Sequence, residues 1–171
     1  YFDAMNETIA RLHSLDPEKI GLGDYGKPGN YFARQIGRWS KQYLADDLAG
    51  RDENMDALVA WLPENIPDGE DSRLVLGDYR ADNMVFHPTE PRVLAVLDWE
   101  LSTLGHPLGD FTNHAMMYRM DSDFLAGIRN YDLAALNIPT EEEYIAAYCR
   151  RTGRSGIPNY DFYIAFGQFR L

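Results

Sequence analysis

Apolar residues recur every three or four positions in three stretches of the first half of the chain, a pattern typical of helices with one buried face. The repeating positions are Met5, Ile9 and Leu12, then Phe32, Ile36, Trp39 and Tyr43, and then Met55, Leu58, Val59 and Leu62. We expect the second helix to cover 30–48 with Asn30 as its cap. The third should end at Pro63, because proline cannot continue the hydrogen bonding of a helix interior.

Three short apolar runs, 73–76, 84–86 and 93–97, follow these helices and predict strands. The polar turn 67–71 leads into the first run. The turn-forming segment 87–91, His-Pro-Thr-Glu-Pro, separates the second run from the third. The second and third strands should therefore pair as a β-hairpin.

The second half of the chain again has helical patterns. Residues 105–110 are typical of a turn, and 111–120 carry an apolar face. Thr140 and Glu143 have the spacing of a capping box, which predicts a helix that continues through Arg150. Residues 160–171 are apolar nearly all round, so a helix there requires burial on several sides. The whole pattern predicts a mostly helical α+β fold.

Three oxygen-bearing side chains should meet at the predicted hairpin. Asp78 and Asn83 precede its first strand, and Asp98 follows its second strand. Each could be an ordinary turn or loop residue if taken singly. Together they resemble a phosphoryl-transfer site, in which one Asp accepts the proton of a substrate hydroxyl and an Asn and a second Asp supply oxygens to Mg²⁺.

The pattern Asp78-x4-Asn83, followed by a hairpin and Asp98, resembles the catalytic core of the aminoglycoside phosphotransferase and choline kinase family, which has a protein-kinase-like fold. Further motifs resemble the branch of this family that is associated with acyl-CoA dehydrogenases. These motifs are 5–8, Leu12-His13, 26–32, Arg38-Trp39, 86–93 and 98–105. The resemblance covers nearly the whole chain, and the stretch 86–105 is its most specific part.

The resemblance implies a mechanism and partners. Asp78 would be the catalytic residue, Asn83 and Asp98 would bind the cofactors ATP and Mg²⁺, and a small molecule with a hydroxyl group, such as a hydroxyacyl-CoA, would be the acceptor. A fused or neighbouring acyl-CoA dehydrogenase is the implied protein partner. Residues 1–171 would form the helical C-terminal lobe of the kinase-like fold, without the N-terminal lobe that covers the nucleotide. Residues 21–26 are glycine-rich but follow a helix rather than a strand, so we expect a loop there.

Two further residues are candidates, and one position departs from the family. Asp110 aligns with an acidic position that braces the catalytic loop, although the residues alone equally allow a helix cap there. Arg80 could contact an anionic substrate or phosphate, or be a solvated surface residue. Leu76 stands where the family usually has a His that orients the loop. A pseudokinase-like module that binds nucleotide or a partner without turnover is therefore the alternative function.

Composition narrows the possible partners. The formal net charge of −11 disfavours nucleic acids and anionic membrane surfaces. No apolar run approaches the roughly 20 residues that span a bilayer. The single cysteine, Cys149, excludes an internal disulfide and is typical of a reducing compartment, so we expect a cytoplasmic protein. The four histidines lack the spacing of a zinc site.

The chain begins at Tyr1, inside one helical pattern, and stops inside another. We therefore expect a protein truncated at both ends, which would not transfer phosphate by itself. The expected cut faces would expose an apolar patch and cause association. The residues of that patch would be Met5, Ile9, Phe162, Phe166 and Phe169.

Overall fold

A computed structural model gives the fold of the chain. It describes residues 1–171 except 28, 47, 49, 70 and 124–126. Pro28 of the motif 26–32, Asp47 of the predicted second helix and Glu70 of the predicted polar turn thus lie outside the described residues. The helices are α1 Phe2–Ser14, α2 Tyr31–Ala45, α3 Glu53–Glu64, α4 Pro107–Ala115, α5 Glu141–Thr152 and α6 Tyr160–Phe169. The strands are β1 Arg73–Val75, β2 Met84–Phe86, β3 Val93–Val96 and β4 Thr103–Gly105.

The helices predicted from apolar periodicity are present, with shifted ends. Asn30 is the residue that precedes α2, as predicted, but its backbone is left-handed and its side chain makes no capping hydrogen bond to the helix. Pro63 lies inside the last turn of α3 rather than after it. The capping box of Thr140 and Glu143 is confirmed at the start of α5.

The predicted hairpin is confirmed. Strand β2 pairs antiparallel with β3, with Met84 opposite Val96 and an irregularity between Val85 and Phe86. At the turn, the imidazole Nδ1 of His87 accepts a hydrogen bond from the backbone N–H of Glu90 at 3.1 Å. Strand β1 takes no part in this hairpin and pairs antiparallel with β4, a strand that the sequence did not predict.

Helix α4 starts earlier than predicted, because Pro107 begins a helix where the sequence indicated a turn. His106 is its cap, and its Nδ1 accepts a hydrogen bond from the backbone N–H of Leu108. Pro suits the first helical position because its missing N–H would have no partner there. All nine residues of α4 are buried, and the helix packs against α6 and β1. Residues 116–119 continue as a short 3₁₀ segment rather than as α-helix.

The core joins the first and last helices to the strands. Helix α1 packs on α5 and β1, while α6 packs on α4 and α3. Met5, Ile9, Phe162, Phe166 and Phe169 are all at most 4% exposed. The predicted apolar patch at these residues is therefore wrong, because the apolar faces of α1 and α6 are covered by other parts of this same chain. No helix among the described residues is long and apolar enough to cross a bilayer.

Candidate phosphoryl-transfer site

The segment between β1 and β2 forms a tightly held loop that carries Asp78. Gly77 has a φ of +87°, and a Cβ atom built there would lie 2.6 Å from the backbone oxygen of Leu101. Only glycine therefore fits the turn that leads into Asp78. The side chain of Asp78 is partly exposed, whereas the next residue, Tyr79, is fully buried and donates a hydrogen bond from its hydroxyl to the carbonyl of Met5 at 2.7 Å. Asp78 therefore lies between a glycine in a sterically constrained turn and a buried, hydrogen-bonded tyrosine.

Asn83 connects the candidate residues. Its amide nitrogen Nδ2 donates to the backbone carbonyl of Asp78 at 2.9 Å and to the Oδ2 atom of the Asp78 carboxylate at 3.2 Å. Its own backbone carbonyl accepts from the N–H of Leu97 at 2.8 Å. Asp98 is the next residue after Leu97, so the hairpin brings the backbone of Asp98 beside Asn83, as the sequence predicted.

Asp98 occupies an unusual backbone conformation. Its φ of 59° and ψ of 63° are left-handed, and it begins the 3₁₀ segment Trp99–Leu101. Asp tolerates this conformation better than most residues, at a modest cost in energy. The conformation leaves Asp98 exposed at the end of the hairpin. Asp98 is thus an exposed residue whose chain neighbour Leu97 is hydrogen-bonded to Asn83.

The donor set fits a Mg²⁺ ion that is shared with phosphate. Asn83 directs its amide nitrogen to Asp78, which leaves its oxygen Oδ1 for a cation, and Asp98 adds an exposed carboxylate. Mg²⁺ commonly takes one or two protein oxygens and completes its octahedron with phosphate and water. Among the described residues no group of three or more His, Cys, Asp or Glu is placed to hold a metal ion by itself. A Mg²⁺ ion held by Asn83 and Asp98 would therefore take its remaining ligands from phosphate and water.

Asp110 holds the base of the loop. It is 1% exposed, and its carboxylate accepts hydrogen bonds from the backbone N–H groups of Leu76 at 3.0 Å and Gly77 at 2.9 Å. The alternative interpretation as a helix cap is wrong, because His106 caps α4 and Asp110 lies within the helix. Burial by itself would raise the pKa of Asp110, but hydrogen bonds from His13, Leu76 and Gly77 outweigh it and the pKa is lowered.

His13 is a buried residue of this site that the sequence analysis did not single out for a role. Its Nε2 lies 3.2 Å from Oδ2 of Asp110, and its Nδ1 lies 2.8 Å from the hydroxyl of Tyr148 on α5. The sequence did contain a signal, because His13 follows Leu12 on the apolar face that also carries Ile9. A polar residue on such a face requires a partner, but the partner is 97 positions away and cannot be identified by spacing.

Arg80 lies beside the site, and its guanidinium forms an ion pair with Asp82. It is exposed, and its Nη2 donates to Oδ2 of Asp82 at 2.6 Å. The hydrogen bond that Arg80 donates to the Asp82 carboxylate is the main reason that the pKa of Arg80 is raised. A substrate would therefore have to compete with Asp82 for this guanidinium.

A cavity of about 470 Å³ opens next to Asp78. It lies between the loop that carries Asp78, the N-terminal half of α1, the 3₁₀ segment after α4 and the end of α6. Most of its wall is apolar, and four methionines contribute to it. Its lining includes Met5, Trp39, Asp78, Met116, Met117, Met120 and Arg170. Local sequence patterns do not predict this cavity, because its wall combines residues that lie far apart in the sequence.

Comparisons with known proteins agree on a family. The sequence model of the phosphotransferase enzyme family, APH, matches residues 1–163. The chain is 44% identical over 172 residues to acyl-CoA dehydrogenase family member 10 of Mus musculus, covering 99% of this chain but 16% of that protein. Most of the mouse relative therefore lies outside the matched region.

Solved structures share the fold. A crystal structure of a Ralstonia eutropha protein with a provisional assignment as an aminoglycoside phosphotransferase matches with a TM-score of 0.92 and 54% identity, over 99% of this chain and 52% of that one. A macrolide 2'-phosphotransferase of type I matches with a TM-score of 0.69 and 14% identity, over 99% of this chain and 51% of that one. At that low identity the second match shows the fold alone. The chain thus has part of the kinase-like α+β fold and spans about half the length of these structures.

Proposed function

Because the chain belongs to the phosphotransferase enzyme family, we propose that it carries the catalytic loop of an ATP- and Mg²⁺-dependent kinase that phosphorylates a hydroxyl group of a small molecule. One observation carries the proposal. Asn83 is hydrogen-bonded through its side chain to Asp78 and through its backbone to the residue before Asp98. A single residue therefore couples a carboxylate on the acceptor side to a carboxylate on the nucleotide side.

In this proposal each residue has a separate task. Asp78, fixed between Gly77 and the buried Tyr79, orients the acceptor hydroxyl and takes its proton. Asn83 holds the Asp78 carboxylate in place through its amide nitrogen. Asn83 Oδ1 and the Asp98 carboxylate would hold Mg²⁺, which when bound neutralises the charge of the transferred phosphoryl group. Catalysis then depends on positioning, since the transition state of phosphoryl transfer is loose.

The acceptor should enter through the cavity beside Asp78. Its largely apolar wall and its volume of about 470 Å³ suit an acceptor with an aliphatic segment. A hydroxyacyl-CoA is our proposed acceptor class. The mouse relative, named as an acyl-CoA dehydrogenase, supports a dehydrogenase as the fused or neighbouring partner. The free, buried Cys149 supports a reducing compartment such as the cytoplasm.

A phosphorus NMR screen of ATP consumption by the intact protein tests this function. Hydroxyacyl-CoAs, sugars, choline and aminoglycosides would be offered with and without Mg²⁺. We expect Mg²⁺-dependent formation of a phosphomonoester with one class and loss of that product in Asp78→Asn. The matched control is Asp161→Asn, which changes an exposed carboxylate on α6 and should behave like the unchanged protein. Nucleotide binding without any product would instead favour the pseudokinase-like alternative, for which Leu76 is the motivating observation.

A further inference from the structure

Asn113 of α4 is a buried polar residue whose side chain makes no hydrogen bond to the described part of the chain. Seven polar or charged residues within that part are at most 9% exposed, and Asn113 is one of them. The other six all form side-chain hydrogen bonds inside the protein, namely Asn6, His13, His106, Asp110, Thr112 and His114. Buried polar side chains are paired in the large majority of cases, so the exception requires an explanation.

The unpaired amide of Asn113 can be reached from the cavity beside Asp78. Asn113 lines that cavity. Its amide atoms are not among the unpaired polar atoms that the protein encloses completely, in contrast to the indole Nε1 of Trp39. Its backbone packs against α6, where a Cβ atom built on Gly167 would lie 3.4 Å from the Cα atom of Asn113. The residue is therefore held in place by α6 while its amide is accessible to a ligand in the cavity.

Asn113 lies one helical turn from the residue that anchors the loop of Asp78. Asp110 and Asn113 are three positions apart on α4, so they share one side of the helix and lie about 4.5 Å apart along its axis. Asp110 accepts the hydrogen bond from the backbone N–H of Gly77 at 2.9 Å, and Asp78 is the next residue. A ligand group bound to Asn113 would thus lie near the hydroxyl that Asp78 is proposed to deprotonate.

The surroundings of Asn113 favour an uncharged ligand group. Burial lowers the pKa of the adjacent His114 to about 4, so its imidazole is neutral. The guanidinium of Arg80 is paired with Asp82, and Asp78 adds a carboxylate to the same wall. An anionic group would be repelled by Asp78 and would lose more hydration in this largely apolar cavity than a neutral carbonyl would.

Methionines continue the wall beyond Asn113. Met116 and Met117 follow it by three and four positions, in the 3₁₀ segment that extends α4, and both line the cavity. Methionine side chains are flexible and apolar, so they adapt to the shape of an aliphatic chain. An amide followed by an apolar wall matches an acyl group, in which a carbonyl oxygen precedes an aliphatic chain.

We propose that the side-chain amide of Asn113 donates a hydrogen bond to the acyl carbonyl oxygen of the acceptor and so fixes the acceptor relative to Asp78. The amide suits this task because it is uncharged and carries two N–H donors. This inference deepens the proposed function and rests on it for the identity of the reaction. The binding preference itself does not require turnover.

Isothermal titration calorimetry of the intact protein with two unreactive probes tests the proposal. Hexanoyl-N-acetylcysteamine, a thioester, and S-hexyl-N-acetylcysteamine, a thioether, have the same chain length and the same tail, and only the thioester has an acyl carbonyl. We expect the thioester to bind roughly fivefold more tightly, as one neutral hydrogen bond contributes. Asn113→Leu should remove this preference and keep the binding of the thioether, because leucine has a similar size and no N–H donor.

The matched control is Asn54→Leu, which replaces an exposed asparagine of α3 outside the cavity and should retain the preference. Equal affinity for the two probes in the unchanged protein would overturn the inference, as would an undiminished preference in Asn113→Leu. If Asn113→Leu does not fold, Asn113→Ala removes the same amide without adding volume and decides the matter in its place. Failure of every acceptor in the phosphorus NMR screen would count against the proposed function, whereas equal affinity for thioester and thioether would count against Asn113 alone.

Discussion

At the residue scale, two long-range contacts hold the loop that carries Asp78: His13 acts through Asp110, and Arg170 bonds the carbonyl of Gly77. Asp78, Asn83 and Asp98 lie within one short stretch, so turn chemistry and strand length were enough to predict their proximity. His13 and Arg170 reach the same loop from 64 and 93 positions away, counted from Gly77. Nothing in local periodicity specifies contacts at such separations, which depend on how α1 and α6 pack.

Leu76 illustrates a second limit of sequence reasoning. Its side chain is fully buried in the main apolar cluster, while its backbone N–H bonds to Asp110. The imidazole of His13 already contacts that same carboxylate. At the position where the family usually has a His, this chain therefore has a leucine that packs into the apolar core.

For this reason we expect Leu76→His to lower stability without raising turnover. Burying an imidazole with no evident partner should cost on the order of 2 kcal/mol. Thermal unfolding and steady-state kinetics of the intact protein would measure both effects. Leu76→Met is the matched control and should cost less than about 1.5 kcal/mol, because it preserves volume and apolarity. Faster turnover at unchanged stability in Leu76→His would show that an imidazole finds a hydrogen-bond partner at this position.

At the scale of elements, the strands that carry a turn signal were predictable and the others were not. The turn-forming segment 87–91 predicts the β2–β3 hairpin. Strand β4 has three residues and no alternating pattern, and its pairing with β1 depends on long-range packing. The start of α4 was missed because the sequence Gly-His-Pro is typical of a turn as well as of a helix that begins with Pro.

The catalytic loop depends on Gly77, and a pair of glycine substitutions tests this dependence. Gly77→Ala should destabilise the protein by about 1–2 kcal/mol from the positive φ alone, and more from the contact with the Leu101 carbonyl. It should also reduce kcat, because Asp78 would move. Gly37→Ala is the matched control on the exposed face of α2, where a Cβ meets nothing within 4 Å.

That control should leave kcat unchanged and raise stability by about 0.5–1 kcal/mol, as expected for a Gly→Ala change in a helix. Urea unfolding and kinetics measure both variants. Equal behaviour of the two alanine variants would contradict the description of Gly77 as the fixed pivot of the loop.

At the scale of the whole molecule, α1, α4, α5 and α6 enclose polar groups that make stability depend on pH. Burial lowers the pKa of both His106 and His114 to about 4. The hydroxyl of Tyr144 lies 2.7 Å from Nε2 of His114, within hydrogen-bond distance of the neutral ring. Both imidazoles are therefore neutral in the folded protein over a range in which they would be protonated in the unfolded chain.

The sign of the effect follows from this difference. Above pH 6.5 the two histidines are neutral in both states and have no influence on the pH dependence. Between pH 6.5 and about pH 4 the unfolded chain gains protons that the folded protein does not, so the free energy of unfolding should fall. The loss from His114 should be on the order of 3 kcal/mol.

His114→Gln should flatten this part of the stability profile, although it lowers stability at neutral pH. Denaturant unfolding at a series of pH values would show the change in slope. An unchanged slope in this variant would mean that the pKa of His114 is the same in the folded protein and in the unfolded chain.

The central claim is that Asp78 serves the acceptor while Asp98 serves the nucleotide and its metal. The most direct measurement compares the Kd of Mg²⁺-dependent ATP binding with kcat in Asp78→Asn and Asp98→Ala of the intact protein. We expect Asp78→Asn to keep ATP affinity within a few-fold while kcat falls by orders of magnitude, and Asp98→Ala to lose both Mg²⁺-dependent ATP binding and turnover. Equal loss of ATP affinity in the two variants would contradict the separate roles assigned to these carboxylates.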